Sequence, residues 1–377
     1  MTLTALLAEA GLTGRGGAAF STARKVEAAH AHGAHLIVNA CDGELGAAKD
    51  GWVVAHRLAE LFDGAAAIAA GSATTYAAHR GSDTAHRLRA AGLPVLEVPA
   101  RYVSSEESSL ISLAQGGLAR PMAKRQPFVR GGRDSDGRHI RPTVVLNAET
   151  VWRAGQVVRL GADWHRSFGT TAEPGPRLVA VSTPTARGVV VETAAGAPVL
   201  DLLAAADPVA VASGLVDRSP GVLLGGLGGT FVAPADLRGL AWSDEGLARV
   251  GARTGPGVVE VLDPAACPVE FVDRCLTWAA GESAGQCGPC MFGLPALAAD
   301  WRALAAGDHT AHGRVVSRIS RLPGRGACRF PDGVAGFAWS ALRVFGPHLD
   351  THRHGRCDAA LRQNDHRTDG RTHVHAG

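Results

Sequence analysis

Aromatic side chains are scarce in this sequence, with two Tyr, seven Trp and ten Phe among 377 residues. A core with few large rings has to close around small side chains, and 48 Gly within a chain that is 46% apolar point to close packing. Charge of one sign is lacking as well. The 38 Lys and Arg nearly balance 35 Asp and Glu, leaving a scattered net charge of +3 that excludes nucleic acid as a partner. Long apolar runs are missing: Leu61 to Ala70 is broken by Asp63 and Gly64, so no direct membrane insertion is expected. The N-terminus has no basic stretch before an apolar core, so no signal peptide is expected and the chain reads as cytoplasmic. Seven cysteines, an odd and unevenly spaced set, argue against a disulfide framework and for reduced thiols, some of them ligands. The length suggests two or three domains.

What is present starts with Gly14-Arg15-Gly16-Gly17, followed by Phe20 and Lys25. Three glycines in four positions remove the Cβ atoms that keep a flat ring or an anion off the backbone. Thr22 to His30 reads as a helix, so the loop's N–H groups could face a phosphate, with Arg15 and Lys25 adding positive charge. No strand precedes the loop, because Thr2 to Gly11 reads as a short amphipathic helix. A dinucleotide-binding fingerprint is therefore excluded, and an ordinary loop is the competing reading. His35 to Val38 reads as a buried strand. It ends in Asn39-Ala40-Cys41-Asp42-Gly43-Glu44, the kind of polar segment where α/β folds place ligand contacts.

Together the two stretches resemble the flavoprotein, NADH-binding subunit of respiratory complex I and of the related NAD-linked hydrogenases and formate dehydrogenases. That family carries Gly-Arg-Gly-Gly-Ala-Gly-Phe-Pro-Thr-Gly-x-Lys and then Asn-Ala-Asp-Glu-x-Glu-Pro-Gly-x-x-Lys-Asp. Gly14, Arg15, Gly16, Gly17, Phe20, Thr22 and Lys25 match the first motif. Asn39, Glu44, Gly46, Lys49 and Asp50 match the second, with Asp42 as a shortened acid. Tyr102 to Glu107 stands where the family has Tyr-x-Cys-Gly-Glu-Glu, whose glutamates line the flavin and NADH cavity. On residue chemistry alone, Glu106 and Glu107 are acids set against a helix macrodipole. Arg120-Pro121 and Lys124 to Phe128 resemble a segment whose Phe stacks on adenine, here Phe128. Pro142 to Thr150 resembles a flavin-contacting turn, which adds Asn147 and Thr150. The sequence departs from the family at Ser105 (for Gly) and at Leu146 (for Asn, removing a polar contact to the flavin edge). A shorter excursion after Gly71 runs through polar residues to a strand at Pro94–Val98. Residues 52 to 72 read as helix.

From Arg177 to Trp242 the pattern is β-rich, with strands at Leu178–Val181 and Gly188–Thr193 and a short helix from Pro198. This resembles the small β-grasp module that follows the flavin domain in the family. Gly225-Gly226-Leu227-Gly228-Gly229 reads as a tight turn, since no acid or base accompanies it. Next comes Cys287-Gly288-Pro289-Cys290, a spacing that brings two thiolates to one metal. It resembles the family's Glu-Ser-Cys-Gly-x-Cys-x-Pro-Cys-Arg-x-Gly, which with a later Cys binds a 4Fe–4S cluster. Cys287, Cys290 and Cys328 match, Ala284 replaces the first ligand, and Cys275 or Cys357 is available as a fourth. A zinc site completed by a His, or no metal, are the other readings. Trp301–Leu322 and Val334–Phe345 read as helices. The tail after His348 reads as disordered, with a histidine metal site as the second reading. Cys41 and Cys267 read as ordinary thiols.

The resemblance implies an α/β fold in three units: an FMN/NADH-binding domain at 1–170, a β-grasp, SLBB-like module at 175–245, and a helical iron–sulfur domain at 246–350. A disordered tail at 351–377 follows. It implies NADH oxidation through FMN to an iron–sulfur cluster, and then to a ferredoxin-like or membrane-bound redox partner, with the chain cytoplasmic or peripheral to a membrane complex. In that scheme Gly14–Gly17 and Lys25 hold phosphate and nicotinamide, Glu44 and Glu107 bind ribose hydroxyls, and Asn39 and Asn147 set the flavin edge. No residue is assigned acid–base catalysis. The competing class is a relay or scaffold subunit that has lost NADH turnover, toward which the shortened excursion, Ser105, Leu146 and Ala284 lean.

Overall fold

The computed structural model describes residues 1–124, 126–134, 137–354 and 357. Helix α1 (Leu3–Ala10) starts at Thr2, whose hydroxyl accepts from the Ala5 amide, and stops at Gly11 in the left-handed region. Ser21 caps α2 (Thr22–His32) in the same way, and β1 (His35–Asn39) follows. The stretch expected as one helix is two, α3 (Lys49–His56) and α4 (Leu58–Ala69), broken at the extended φ of Arg57. The polar excursion after Gly71 also contains regular structure: strand β2 (Thr74–His79) and helix α5 (Asp83–Ala90), before β3 (Val95–Val98). Thr74-Thr75-Tyr76-Ala77-Ala78-His79 buries small residues between its neighbours, so it carries no long apolar run. Helix α6 (Glu107–Ala114), strand β4 (Thr143–Asn147) and helix α7 (Ala148–Leu160) complete the unit.

The first sheet is parallel throughout, in the order β3-β2-β1-β4. Both faces are covered, as a parallel sheet requires. Leu36, Val38, Val144 and Leu146 pack with Val26, Leu61 and Val151 of α2, α4 and α7. Ile37, Ala77, Val98 and Val145 pack with Leu110 and Ile111 of α6. Leu146, which stands in place of the family's Asn, is thus a core residue. The glycine content has a visible use between α4 and α7: a Cβ on Gly64 would strike the Val151 carbonyl, and one on Gly155 would sit 3.1 Å from the Glu60 carbonyl.

A second, mixed sheet is built from β5 (Pro176–Ser182), β6 (Val189–Ala194), β7 (Val222–Leu224), β8 (Thr230–Val232) and β9 (Val258–Val261). Its order is β8-β7-β9-β5-β6, with β9 parallel to β5 and antiparallel to β7. Helix Val199–Ala206 packs Leu202 and Leu203 on it beside Trp242. Strand β9 lies beyond residue 245 in the sequence and yet sits at the centre of this sheet.

The C-terminal part is helical: α8 (Pro268–Gly281), α9 (Leu294–Ala305), α10 (Ala311–Arg321), α11 (Phe330–Val344) and α12 (Gly346–Arg353). Asp300 of α9 accepts from Arg314 and Arg318 of α10 at 2.7 and 3.0 Å. The first residues of the expected tail belong to α12, so that segment is ordered as far as Arg353. From residue 358 onward the tail lies outside the described residues. Among the described residues no helix is long and apolar enough to cross a membrane.

Candidate functional site

Strands β1 and β4 end side by side, with Asn39 in register with Asn147. The chain leaves β1 toward β2 and returns to β4 on the other side, so these carboxyl ends form a topological switch point, where open α/β sheets bind ligands. The Gly14–Gly17 loop lies over it. The Arg15 amide donates to Thr150 Oγ1 at 2.9 Å, and the Arg15 guanidinium donates to the carbonyls of Pro174 and Pro176, both at 3.2 Å. Arg15 and Thr150 therefore anchor the loop to α7 and β5, and the arginine's charge is spent internally. A Cβ on Gly16 would strike Asn147 Oδ1, so this glycine is needed for the loop to lie on Asn147.

Asn39 holds the other side of the switch point. Its Nδ2 donates to the Ser105 carbonyl at 3.0 Å, and its Oδ1 accepts from the Cys41 amide at 3.1 Å. Ser105 Oγ donates to the Tyr102 carbonyl at 3.0 Å and occupies the space left by the missing side chain of Gly43. Asp42 is drawn inward: its carboxylate accepts from the amides of Asp50 at 3.0 Å and Gly51 at 2.6 Å, at the start of α3. Burial, then the neighbouring Asp50, push Asp42 up to about 7. Lys49 is buried between Asp50, at 3.0 Å, and Glu149, at 3.1 Å. Asp50 also accepts from the Glu149 amide at 2.8 Å, and Glu149 accepts from the Leu178 amide at 2.7 Å. This Lys49–Asp50–Glu149 network fixes the floor of the site. The motifs contain all three residues, but a buried ion network shows only when strands distant in sequence are brought together.

Glu44 departs most from expectation. Its carboxylate accepts from the amides of Leu45 (2.8 Å) and Leu227 (2.7 Å), and from the Tyr102 hydroxyl (2.6 Å). A carboxylate has about four lone-pair sites, so internal donors take three of them on Glu44 and leave little for a ribose hydroxyl. Burial shifts its pKa upward. The Gly225–Gly229 loop, read as a turn without an acid, is thus the loop that Glu44 holds. Its glycines leave room for that carboxylate, since a Cβ on Gly226 would lie 2.6 Å from Glu44 Oε1.

The two adjacent glutamates have separate jobs. Glu106 caps α6, accepting from the Ser108 and Ser109 amides at 2.8 and 3.3 Å. Glu107 lies between Lys25 (3.5 Å) and Lys124 (3.0 Å). Burial alone would raise its pKa, but the two lysines outweigh burial and hold it below the ordinary carboxylate range. Phe20, Lys25, Glu107 and Phe128 line one cavity of about 460 Å³. It shares Ala18 with a crevice of about 780 Å³ that runs past Gly16, Gly17 and Glu44 to Arg329 and Asp332. A third cavity, of about 540 Å³, joins Glu106 and Phe128 to Cys328. These volumes are of the size that holds a nucleotide-sized ligand. Three adjoining cavities that share lining residues thus run from the glycine loop to a cysteine loop.

Cys290 sits in a π-helical turn, Pro289–Gly293, at the start of α9. Burial, then Cys287 and Cys328, push its thiol up to about 12, and Cys287 and Cys328 pack against the same core cluster as Cys290. Tyr102 links this locus to Glu44, its ring 4.5 Å from that of Phe330, two residues beyond Cys328. The other two available thiols lie elsewhere. Cys275 is buried on α8, and burial, then Glu260, push it up to about 12. Cys357 lies beside Cys267 and His352. All seven cysteines are free thiols.

Residues 7–155 match the Nuo51 FMN-binding domain, and residues 270–352 match the NADH-ubiquinone oxidoreductase-F iron–sulfur binding region. An NADH-quinone oxidoreductase subunit of Rhizobium meliloti (strain 1021) is 27% identical over 380 residues, covering 92% of this chain and 87% of its own length. The corresponding NADH-quinone oxidoreductase subunit of Mycobacterium tuberculosis (strain ATCC 25618 / H37Rv) is 27% identical over 386 residues, covering 93% and 84%. The NAD+-reducing NiFe hydrogenase in its air-oxidised state superposes with a TM-score of 0.78 at 26% identity over 93% of this chain. This chain spans 62% of that hydrogenase chain. In the H2-reduced state the TM-score is 0.78, and the likeness covers 100% of this chain and 68% of the other. An FMN-binding region and an iron–sulfur binding region thus follow each other along this chain, which is similar over nearly its whole length to NADH-quinone oxidoreductase subunits and shares its fold with the NAD+-reducing hydrogenase.

Proposed function

We propose that this chain oxidises NADH, with FMN in the cleft over the carboxyl ends of β1 and β4 and an iron–sulfur cluster on Cys287, Cys290 and Cys328. The observation behind this reading is the row of adjoining cavities that runs from the Gly16–Ala18 loop to the Cys328 loop. The residues suit both groups: a glycine loop lies where side chains would block a flat ring, and Cys287, Cys290 and Cys328 pack in one cluster. When bound, FMN accepts a hydride and releases electrons singly, and the cluster takes them one at a time.

The chain's own residues do the placing. Gly16, Gly17 and Asn147 present backbone and amide groups to the flavin. Gly14, Arg15 and Thr150 hold that loop, and Asn39 and Asp42 hold the turn opposite. Glu107, kept ionised by Lys25 and Lys124, accepts from ribose hydroxyls, and Phe20 and Phe128 supply ring faces. Glu44 and Glu106 act as positioning residues. The chain divides into three units, and the pairing of β9 within the second sheet supports a second boundary past Val261 rather than at 245. The acceptor is a ferredoxin-like or membrane-bound redox partner, and the chain is cytoplasmic or peripheral to a membrane complex; the relatives' description as oxidoreductase subunits supports this. A relay that has lost NADH turnover is the second reading, favoured by Ala284 and by the withdrawal of Asp42 and Glu44 into internal bonds.

Anaerobic loading of the full chain with FMN, followed by desalting, tests the site. The wild type should retain stoichiometric flavin and reduce a dye with NADH. Gly16→Val should lose most of the flavin, because its side chain displaces Asn147. Equal flavin in both proteins would remove the loop from the site.

A further inference from the structure

At the far end of α9 from Cys290, a second group of ligand-type side chains converges. Cys267, just before α8, His352 in α12, and Cys357 bring their ligand atoms within 4.8 Å of one another. His352 is held as a ligand rather than as a surface side chain. Its Nδ1 lies 2.9 Å from the Ala305 carbonyl, and a carbonyl only accepts, so Nδ1 carries the proton. The Nε2 lone pair is then directed at Cys267 Sγ, 3.3 Å away. A backbone carbonyl fixing the remote nitrogen is the usual outer support of a metal-bound imidazole. The site is sheltered as well: Cys267 is buried, while His352 and Cys357 are half-buried.

Two sulfurs and one imidazole nitrogen, with no carboxylate among the three, form a donor set for Zn²⁺ rather than for a hard cation such as Ca²⁺ or Mg²⁺. With metal–sulfur and metal–nitrogen bonds of about 2.3 and 2.0 Å, tetrahedral geometry needs about 3.5 Å between sulfur and nitrogen. The Cys267–His352 pair is already close to that spacing. Helix α9 spans Leu294–Ala305, and at about 1.5 Å per residue its two ends lie well over 10 Å apart. Cys290 marks one end and Ala305, the partner of His352, the other.

We propose that Cys267, His352 and Cys357 bind one Zn²⁺ ion, separate from the Cys287, Cys290 and Cys328 site. The ion fastens α12 to the start of α8 and the end of α9. The two thiols lose their protons to solvent on binding, His352 keeps its Nδ1 proton, and water completes the coordination.

The test uses the full chain after anaerobic iron–sulfur loading, incubated with Zn²⁺ and passed over a desalting column. Bound zinc is measured for the wild type, Cys290→Ser, His352→Ala and Cys357→Ser. Cys357 lies outside α12, so Cys357→Ser keeps the test free of folding defects, and circular dichroism checks this. Stoichiometric zinc is expected in the wild type and in Cys290→Ser, with loss in His352→Ala and Cys357→Ser. Co²⁺ in place of Zn²⁺ should give a sulfur-to-cobalt charge-transfer band in the wild type that is absent from Cys357→Ser. Equal zinc in the wild type and Cys357→Ser, or loss of zinc in Cys290→Ser alone, would overturn the site. So would a Cys267–Cys357 disulfide in protein purified without added oxidant.

Discussion

His165 shows how much of this molecule is decided by single buried groups. It is fully buried behind the Arg15 anchor, and burial, then Arg15 and Arg153, push its pKa down from 6.5 to about 4. The native state therefore keeps this imidazole neutral, while the unfolded chain protonates it below pH 6.5. Stability from this group is complete above pH 6.5 and is lost as pH falls toward 4, about 1.4 kcal/mol per pH unit, or about 3 kcal/mol across the window. Urea unfolding of the wild type at steps from pH 7 to 4.5 should show this slope, and His165→Gln should flatten it. Parallel curves for the two proteins would remove His165 from the account. At the same scale, Glu44 and Glu107 show why an acid's role depends on its partners: one accepts from three internal donors, and the other faces two lysines beside a cavity.

Among the elements, the contact of α4 with α7 depends most directly on glycine. Gly64→Ala should cost about 1–3 kcal/mol, because the new methyl drives the helices apart against the Val151 carbonyl. Gly336→Ala is the contrast. It lies inside α11 with nothing within 4 Å of the added Cβ, and should gain about 0.5–1 kcal/mol from helix propensity. Denaturant midpoints of the two variants check both signs. The elements legible in the sequence were those with their own caps and periodicity. Thr2 and Gly11 bracket α1, Ser21 starts α2, and the apolar run at His35 marks β1. Strand β2 and helix α5 were not legible, because a strand held between two neighbours can bury Ala77 and Ala78 without an apolar run. The site divides along the same line. The glycine loop and the Cys287–Cys290 spacing are local and could be read. Glu44 under Leu227, Asn147 under Gly16 and Cys357 beside Cys267 are pairings across the fold, and no local pattern encodes them.

At the scale of the whole molecule, the second sheet and the helical bundle share one core. Phe231 of β8 reaches into the bundle, with its ring 4.9 Å from that of Phe337 and 4.8 Å from that of Phe345. Its amide donates to Ser340 Oγ at 2.9 Å. Phe231→Ala should cost about 3–5 kcal/mol and split a single thermal transition into two, which calorimetry reads directly. Tyr102 and Phe330 tie Glu44, at the proposed flavin site, to the Cys328 loop. Such coupling suits a protein whose work is to hold two electron carriers at a fixed separation. The direct measurement is anaerobic addition of NADH to the FMN-loaded full chain while flavin absorbance is followed. NADH should bleach the flavin in the wild type. Flavin that stays bound and unbleached at saturating NADH would contradict the account and leave the chain a relay.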